Sequence, residues 1–125
     1  MDATRLAERY IATWNETDPE RREAAIAEVW TADGEYVDPL AAVAGRDQIS
    51  GLIGSVQEQV PGHVFRLFDG DVDAHHDVMR FRWELVPASG GDSVAAGFDV
   101  ATSNGDGRLC RVVGFLDKAP AAAAA

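Results

Sequence analysis

Residues 78–86 read VMRFRWELV. Met79, Phe81, Trp83 and Leu85 occupy every second position, with Arg80, Arg82 and Glu84 between them. A period of two is that of a strand with one apolar and one wet face. The neighbouring segments follow the same rule. Residues 63–68 (HVFRLF) form a strand candidate ended by the turn Asp69-Gly70-Asp71, and Val94 to Thr102 form another. Ser103-Asn104-Gly105-Asp106-Gly107 is a glycine-rich hairpin turn, and Leu109 to Leu116 is the last strand.

Upstream of Pro61-Gly62 the period is helical. Leu6, Tyr10 and Trp14 recur on one face of a first helix, with Thr13 at its edge. Asp18-Pro19 is a helix start, because Asp caps free amides and proline preforms the first turn. That second helix carries Ile26, Val29 and Trp30 inward and should stop near Thr31 to Gly34. A third runs from Gly45-Arg46 with Ile49, Leu52, Ile53, Val56 and Val60 as its stripe. Between them lies GEYVDPL (34–40), a short strand whose last acid, Asp38, is followed by proline. Helices first and an antiparallel meander afterwards define an α+β domain. A curved sheet under such helices leaves a cavity, where function would reside.

The 125 residues suit one domain, and a hydrophobic content of 46% is enough for one core. Eleven basic residues against twenty-one acidic ones give a net charge of −10. Such a chain repels phosphate backbones and anionic lipid surfaces, and no basic run offsets this, so neither nucleic acid nor membrane is an expected partner. The single cysteine, Cys110, cannot form an internal disulfide, which fits a cytoplasmic location. The start, MDATRLAERY, carries charge where a signal peptide needs an apolar core, and no stretch approaches the roughly 20 apolar residues of a membrane span. Residues 1–117 form the expected domain, with 118–125 (KAPAAAAA) a disordered tail.

The order helix, helix, strand ending in acid–proline, helix, then strands resembles the NTF2-like superfamily. More narrowly it resembles the SnoaL-like polyketide cyclases and ketosteroid isomerases. The carrying pieces are RYIATWN (9–15), VDP (37–39), GRDQI (45–49), HHDVMRFRWEL (75–85), AAGFDVAT (95–102) and NGDGRLCRVVGF (104–115). The resemblance implies a cone: three N-terminal helices packed on a curved antiparallel sheet that encloses a pocket for a small apolar ligand. It implies a cofactor-independent isomerase or cyclase working alpha to a carbonyl, and a homodimer. A non-catalytic ligand-binding module and a structural dimer with a filled cavity stay open beside it.

Carried onto this sequence, Asp38 resembles the general base of the isomerases, Tyr10 their oxyanion-hole tyrosine and Asp99 their second acid. In SnoaL-like cyclases an Asp in this region is the acid/base residue. The residues themselves leave two readings of Asp99. Alternation groups it with Gly97 and Ala101, and that face points either into the cavity, which would raise its pKa, or to solvent. Asp38 is either a pocket acid or a strand-ending turn residue. Trp14, Phe81, Trp83 and Phe115 are candidate walls of the pocket. His75 and His76 are adjacent, so on a strand they diverge and cannot easily chelate one ion; no metal site is expected. One of the two could face the cavity as a proton carrier, and a turn near Asp77 would decide which. Arg80 and Arg82 mark the outer sheet face, either solvated or a dimer contact.

Overall fold

The computed structural model describes residues 2–68 and 72–119. Helices α1 (Ala3–Asn15) and α2 (Pro19–Val29) lead into strands β1 (Trp30–Asp38) and β2 (Ala41–Ala44), and α3 (Arg46–Gln59) follows. Strands β3 (His63–Leu67), β4 (Asp73–His75), β5 (Val78–Pro87), β6 (Ala95–Ser103) and β7 (Leu109–Lys118) complete the chain. The strands form one sheet in the order β2-β1-β7-β6-β5-β3, with β4 paired to β5. The α+β architecture is the one expected. The Asp69-Gly70-Asp71 turn and residues 120–125 of the expected tail lie outside the described residues. β7 runs one residue past the expected boundary at 117.

The helix starts follow their caps. The Asp2 carboxylate accepts the Thr4 amide at 3.1 Å, and the Asp18 carboxylate accepts the Arg21 amide at 3.2 Å, with Pro19 in the first turn. α2 ends at Val29, two residues earlier than its pattern suggested. Trp30 is buried as expected but opens β1, where it pairs with Leu109. The carbonyls left open at the end of α2 are met by cations. Arg46 donates to Ala27 and Trp30, and Arg108 also donates to Ala27.

Two features correct the sequence picture of the sheet. The acid–proline step ends β1 at Asp38, as expected, but Ala41–Ala44, not expected as a strand, folds back on it as β2 from Asp38↔Ala41 to Glu35↔Ala44. β1 also joins β7 in parallel, so the sheet is mixed although mostly antiparallel. Register shifts between Trp30 and Glu35, between Ala96 and Gly97, and between Thr102 and Ser103 bend these strands around the helices.

The core lies between the helices and the inner sheet face. Leu6, Tyr10 and Trp14 meet Ile26, Ile49 and Ile53 from the helices, over Met79, Phe81, Ala101 and Val112 of the sheet. The edge strand β3 is stitched to the end of α1. The Asn15 side-chain amide donates to the Phe65 carbonyl at 2.7 Å and accepts its amide at 2.8 Å, as a neighbouring strand would. The outer face carries Arg80 and Arg82, the latter over the Phe68 ring, and a stacked pair of Phe98 and Phe115.

The three helices are locked by Arg22, only 7% exposed. Its guanidinium donates to the Ser50 hydroxyl, the Gln57 side-chain oxygen and the Glu16 carbonyl at 3.1–3.2 Å. Removing it strips a donor from the buried Ser50 hydroxyl and the part-buried Gln57 oxygen and leaves the Glu16 carbonyl to the Gln57 amide alone, so Arg22→Ala should cost about 2 kcal/mol in urea unfolding. Arg22→Lys should recover little of that, since an ammonium cannot fork to three acceptors.

Candidate active site

β1 alternates so that Tyr36 and Asp38 point to the helix side of the sheet. Pro39 and Leu40 then make the turn into β2. Asp38 Oδ1 accepts the amides of Leu40 and Ala41, each at 2.8 Å, and Oδ2 accepts the Tyr36 hydroxyl at 2.7 Å. Three hydrogen bonds hold this carboxylate in place.

Asp99 comes from the middle of the sheet. On β6, Ala95, Gly97, Asp99 and Ala101 are buried while Val100 is exposed, so the Asp99 face is the inner one. Asp99 is 4% exposed. The Trp83 indole Nε1 donates to its Oδ1 at 3.1 Å. Burial pushes the Asp99 carboxyl up to about 7; the Trp83 indole and nearby Tyr10 hydroxyl pull it part of the way back, and the Asp38 charge pushes it up again. This acid therefore exchanges its proton near neutral pH.

One row of cross-strand neighbours joins the two acids. Phe81 is opposite Asp99, and Asp99 is opposite Gly114 on β7. β1 flanks β7 on its other side, with Val37 beside Val113. Gly114 thus lies between the carboxylates. A Cβ there would sit 2.8 Å from Asp99 Oδ1, 3.4 Å from the Asp38 Cβ and 3.5 Å from the Tyr36 hydroxyl oxygen. The absent side chain is the space that the acids face.

Above this row is a cavity of about 150 Å³. Trp14, Tyr36, Phe65, Trp83 and Leu85 wall it, Tyr10, Asp38, Asp99 and Gln59 are among its polar residues, and Leu40 and Leu116 stand at its mouth. The aromatic walls pack edge-on: Trp14 with Phe65 at 5.5 Å and Phe65 with Trp83 at 5.6 Å between ring centres. The Tyr10 hydroxyl is buried and has no partner in good hydrogen-bond geometry, though it is near enough to Asp99 to favour that carboxyl's charged form. Burial, then the Asp99 charge, raise the pKa of Tyr10, and the same causes with the Asp38 bond raise that of Tyr36. Both phenols stay protonated; Tyr36 donates its hydroxyl hydrogen to Asp38, which leaves Tyr10 as the uncommitted donor.

The structure therefore brings Tyr10, Asp38, Asp99, Trp14 and Trp83 to one space. Other candidates fall elsewhere. Phe81 is core, beneath Tyr10 at 5.7 Å between ring centres, and does not line the cavity. Phe115 borders the cavity, but its ring stacks on Phe98 at 4.9 Å on the outer face and is 47% exposed, because it is one residue out of phase with Gly114. His75 and His76 lie exposed at the β4–β5 turn, away from the cavity, so neither is placed to carry a proton there. Nor do they diverge as a regular strand would have them. His76 takes φ +54°, which brings the two Nδ1 atoms to 3.3 Å. Among the described residues no cluster of three or more potential metal ligands occurs.

Three participants were not singled out from the sequence. Tyr36 could have been found, being two residues before Asp38 and so on the same strand face. Gly114 and Gly97 could not, because their roles depend on which strands become neighbours.

A helix-covered, bulged sheet with an acid pair in a blind apolar cavity defines the NTF2-like class, and similarity to known proteins agrees. The family model for the SnoaL-like domain matches residues 7–112. The chain belongs to the SnoaL-like family. It is 40% identical to a protein of Agrobacterium tumefaciens described as "a putative isomerase of the SnoaL-like family", over 92% of this chain and 97% of that one, with a TM-score of 0.86. The fold is shared with a "putative ketosteroid isomerase" of Kribbella flavida at 20% identity, covering 91% and 76% of the two chains, TM-score 0.66. It is also shared with a "putative SnoaL-like polyketide cyclase" of a Jannaschia species at 19% identity, covering 92% and 87%, TM-score 0.68. No functionally curated protein matches significantly. No helix among the described residues is long and apolar enough to cross a membrane.

Proposed function

We propose that this protein binds a small uncharged carbonyl compound and moves a proton at the carbon next to the carbonyl, with Asp99 as the acid/base group. The observation that carries this reading is the meeting of a proton-exchanging carboxyl and an unpartnered tyrosine hydroxyl in one apolar cavity. In the forward step the ionised Asp99 takes the α-proton as the C–H bond breaks. The electron pair moves onto the carbonyl oxygen, which accepts a hydrogen bond from Tyr10. The same carboxyl returns the proton to carbon, at the original or a conjugated position. Side chains alone supply the scheme.

Asp38 takes a different part from the one its acid–proline setting suggests. Its carboxylate already accepts three hydrogen bonds, which occupy both oxygens and suit it to fixing Tyr36 and the Pro39-Leu40 turn. A structural dimer with a filled cavity is disfavoured: Trp30 packs in the core and the two other tryptophans leave the space between them open.

The test is solvent exchange. Ring-sized ketones incubated with the protein in D₂O should lose their α-proton NMR signals faster than without it. Asp99→Asn should slow this by about 10²- to 10⁴-fold, and Tyr10→Phe should also slow it. Absence of accelerated exchange across the series, with binding retained, would replace this reading with a binding module.

A further inference from the structure

The enclosed volume limits what can enter. A cavity of about 150 Å³ is of the size that holds a single benzene-like ring. Anything longer has to leave through the mouth, and the mouth is mostly apolar, with the exposed Gln59 its polar member. Leu40 is 76% exposed and Leu116 37% exposed, yet both line this cavity, together with Pro39, Val60 and Ala119. The Leu40 backbone is held at the rim, its amide bonded to Asp38 Oδ1 at 2.8 Å. Isolated exposed leucines are unremarkable, but these two share the rim of one pocket with three further apolar residues.

Charge narrows the ligand further. Among the described residues no Lys, Arg or His lines the cavity, and the ionisable groups there besides the tyrosines are Asp38 and Asp99. An anionic head such as a fatty carboxylate would be buried beside Asp38 with no counter-charge. A neutral carbonyl oxygen would accept from the buried Tyr10 hydroxyl, which has no partner in good geometry. What fits is a neutral oxygen acceptor.

We propose that the cavity and its rim together form a site for an uncharged amphiphile: a ring-sized, oxygen-bearing end inside, and an apolar chain laid across Leu40 and Leu116. This rests on the carbonyl reading for the inner end only; the rim is argued from its own exposed leucines. The chain covers the rim without entering the cavity, so chain length sets affinity while the ring and its oxygen set placement.

The experiment titrates two homologous series, 4-alkylacetophenones and n-alkylbenzenes, following quenching of tryptophan fluorescence and calorimetric heat. In the intact protein each methylene should tighten binding by up to about fourfold until the rim is covered, and then no further. In Leu40→Ser and Leu116→Ser the ratio of hexyl to parent affinity should fall toward one. A flat series in the intact protein overturns the proposal, and so does an undiminished slope in both variants. Failure of acetophenones with a retained slope among alkylbenzenes would sink the carbonyl reading and leave the rim standing. Light scattering run alongside should show the same mass for all three proteins. A larger intact species that Leu40→Ser dissociates would make the rim a protein contact and overturn the proposal.

Discussion

Asp99→Asn should make the folded protein more stable above neutral pH while removing its proton chemistry. The sign follows from the raised pKa. Folded Asp99 holds its proton up to about 7, against an ordinary value of 3.8, so between these limits the folded state binds more protons than the unfolded one. Stability contributed by the neutral form is fully present below about pH 4, falls as the pH rises toward 7, and stays lost above that. A shift of this size corresponds to a loss on the order of 4 kcal/mol. Asparagine keeps the shape and an oxygen for the Trp83 indole but cannot ionise. At pH 8 the variant should therefore melt higher than the natural protein, by on the order of 10 °C. At pH 4 the two should coincide. Melting curves at both pH values decide it: a variant less stable at pH 8 would mean that Asp99 is not carrying a buried, reluctant charge. The combination of lost activity and gained stability is what a group retained for chemistry produces.

The second large effect concerns two glycines on neighbouring strands, Gly97 on β6 and Gly114 on β7, of which Gly114 faces Asp99. A methyl on Gly97 would run into the backbone carbonyl oxygen of Phe115 and sit 2.8 Å from Trp83 Cζ2. A strand backbone cannot yield there without breaking the β6–β7 register, so Gly97→Ala should lose about 3 kcal/mol in urea unfolding. At Gly114 the nearest obstacle is the tip of the Asp99 side chain, which can swing away. Gly114→Ala should thus cost only about 1 kcal/mol but pull Asp99 off the Trp83 indole. The Trp83 Nε1–H resonance would report this. In the natural protein it should titrate with a midpoint near 7, and in Gly114→Ala that titration should move or vanish. Gly51→Ala is the control, since nothing lies within 4 Å of a methyl there; it should leave the resonance unchanged. An identical indole titration in Gly114→Ala would show that the gap between the acids does not place Asp99.

What was legible in the sequence was whatever a single segment encodes. The two-residue period of 78–86 fixed β5 and its inner face, and the same arithmetic put Asp99 with Gly97 and Ala101. Helix caps at Asp18-Pro19 and the apolar stripe of α3 were equally local. What escaped depends on pairing between distant segments. No window of the chain announces that β1 lies parallel to β7, that Gly114 therefore separates Asp38 from Asp99, or that Phe115 is turned outward. His76 was misjudged for another reason: one left-handed residue cancels strand alternation, and histidine does not advertise that conformation as glycine does. Asp38 was legible as unusual, but its three hydrogen bonds, and hence its supporting part, were not.

The parallel union of β1 with β7 also has a consequence for how the molecule comes into being. During synthesis, Asp38 emerges on β1, whose second partner, β7, is the last strand of this sheet to be made. Until β7 inserts between β1 and β6, Asp38 and Asp99 belong to separate pieces of chain, and the loop to be closed spans most of the polypeptide. Closure of that kind is slow compared with the local meander of β5 and β6. The catalytic candidates should thus be assembled in the final event of folding. A chain interrupted before its last strand would carry every proposed functional side chain and no site.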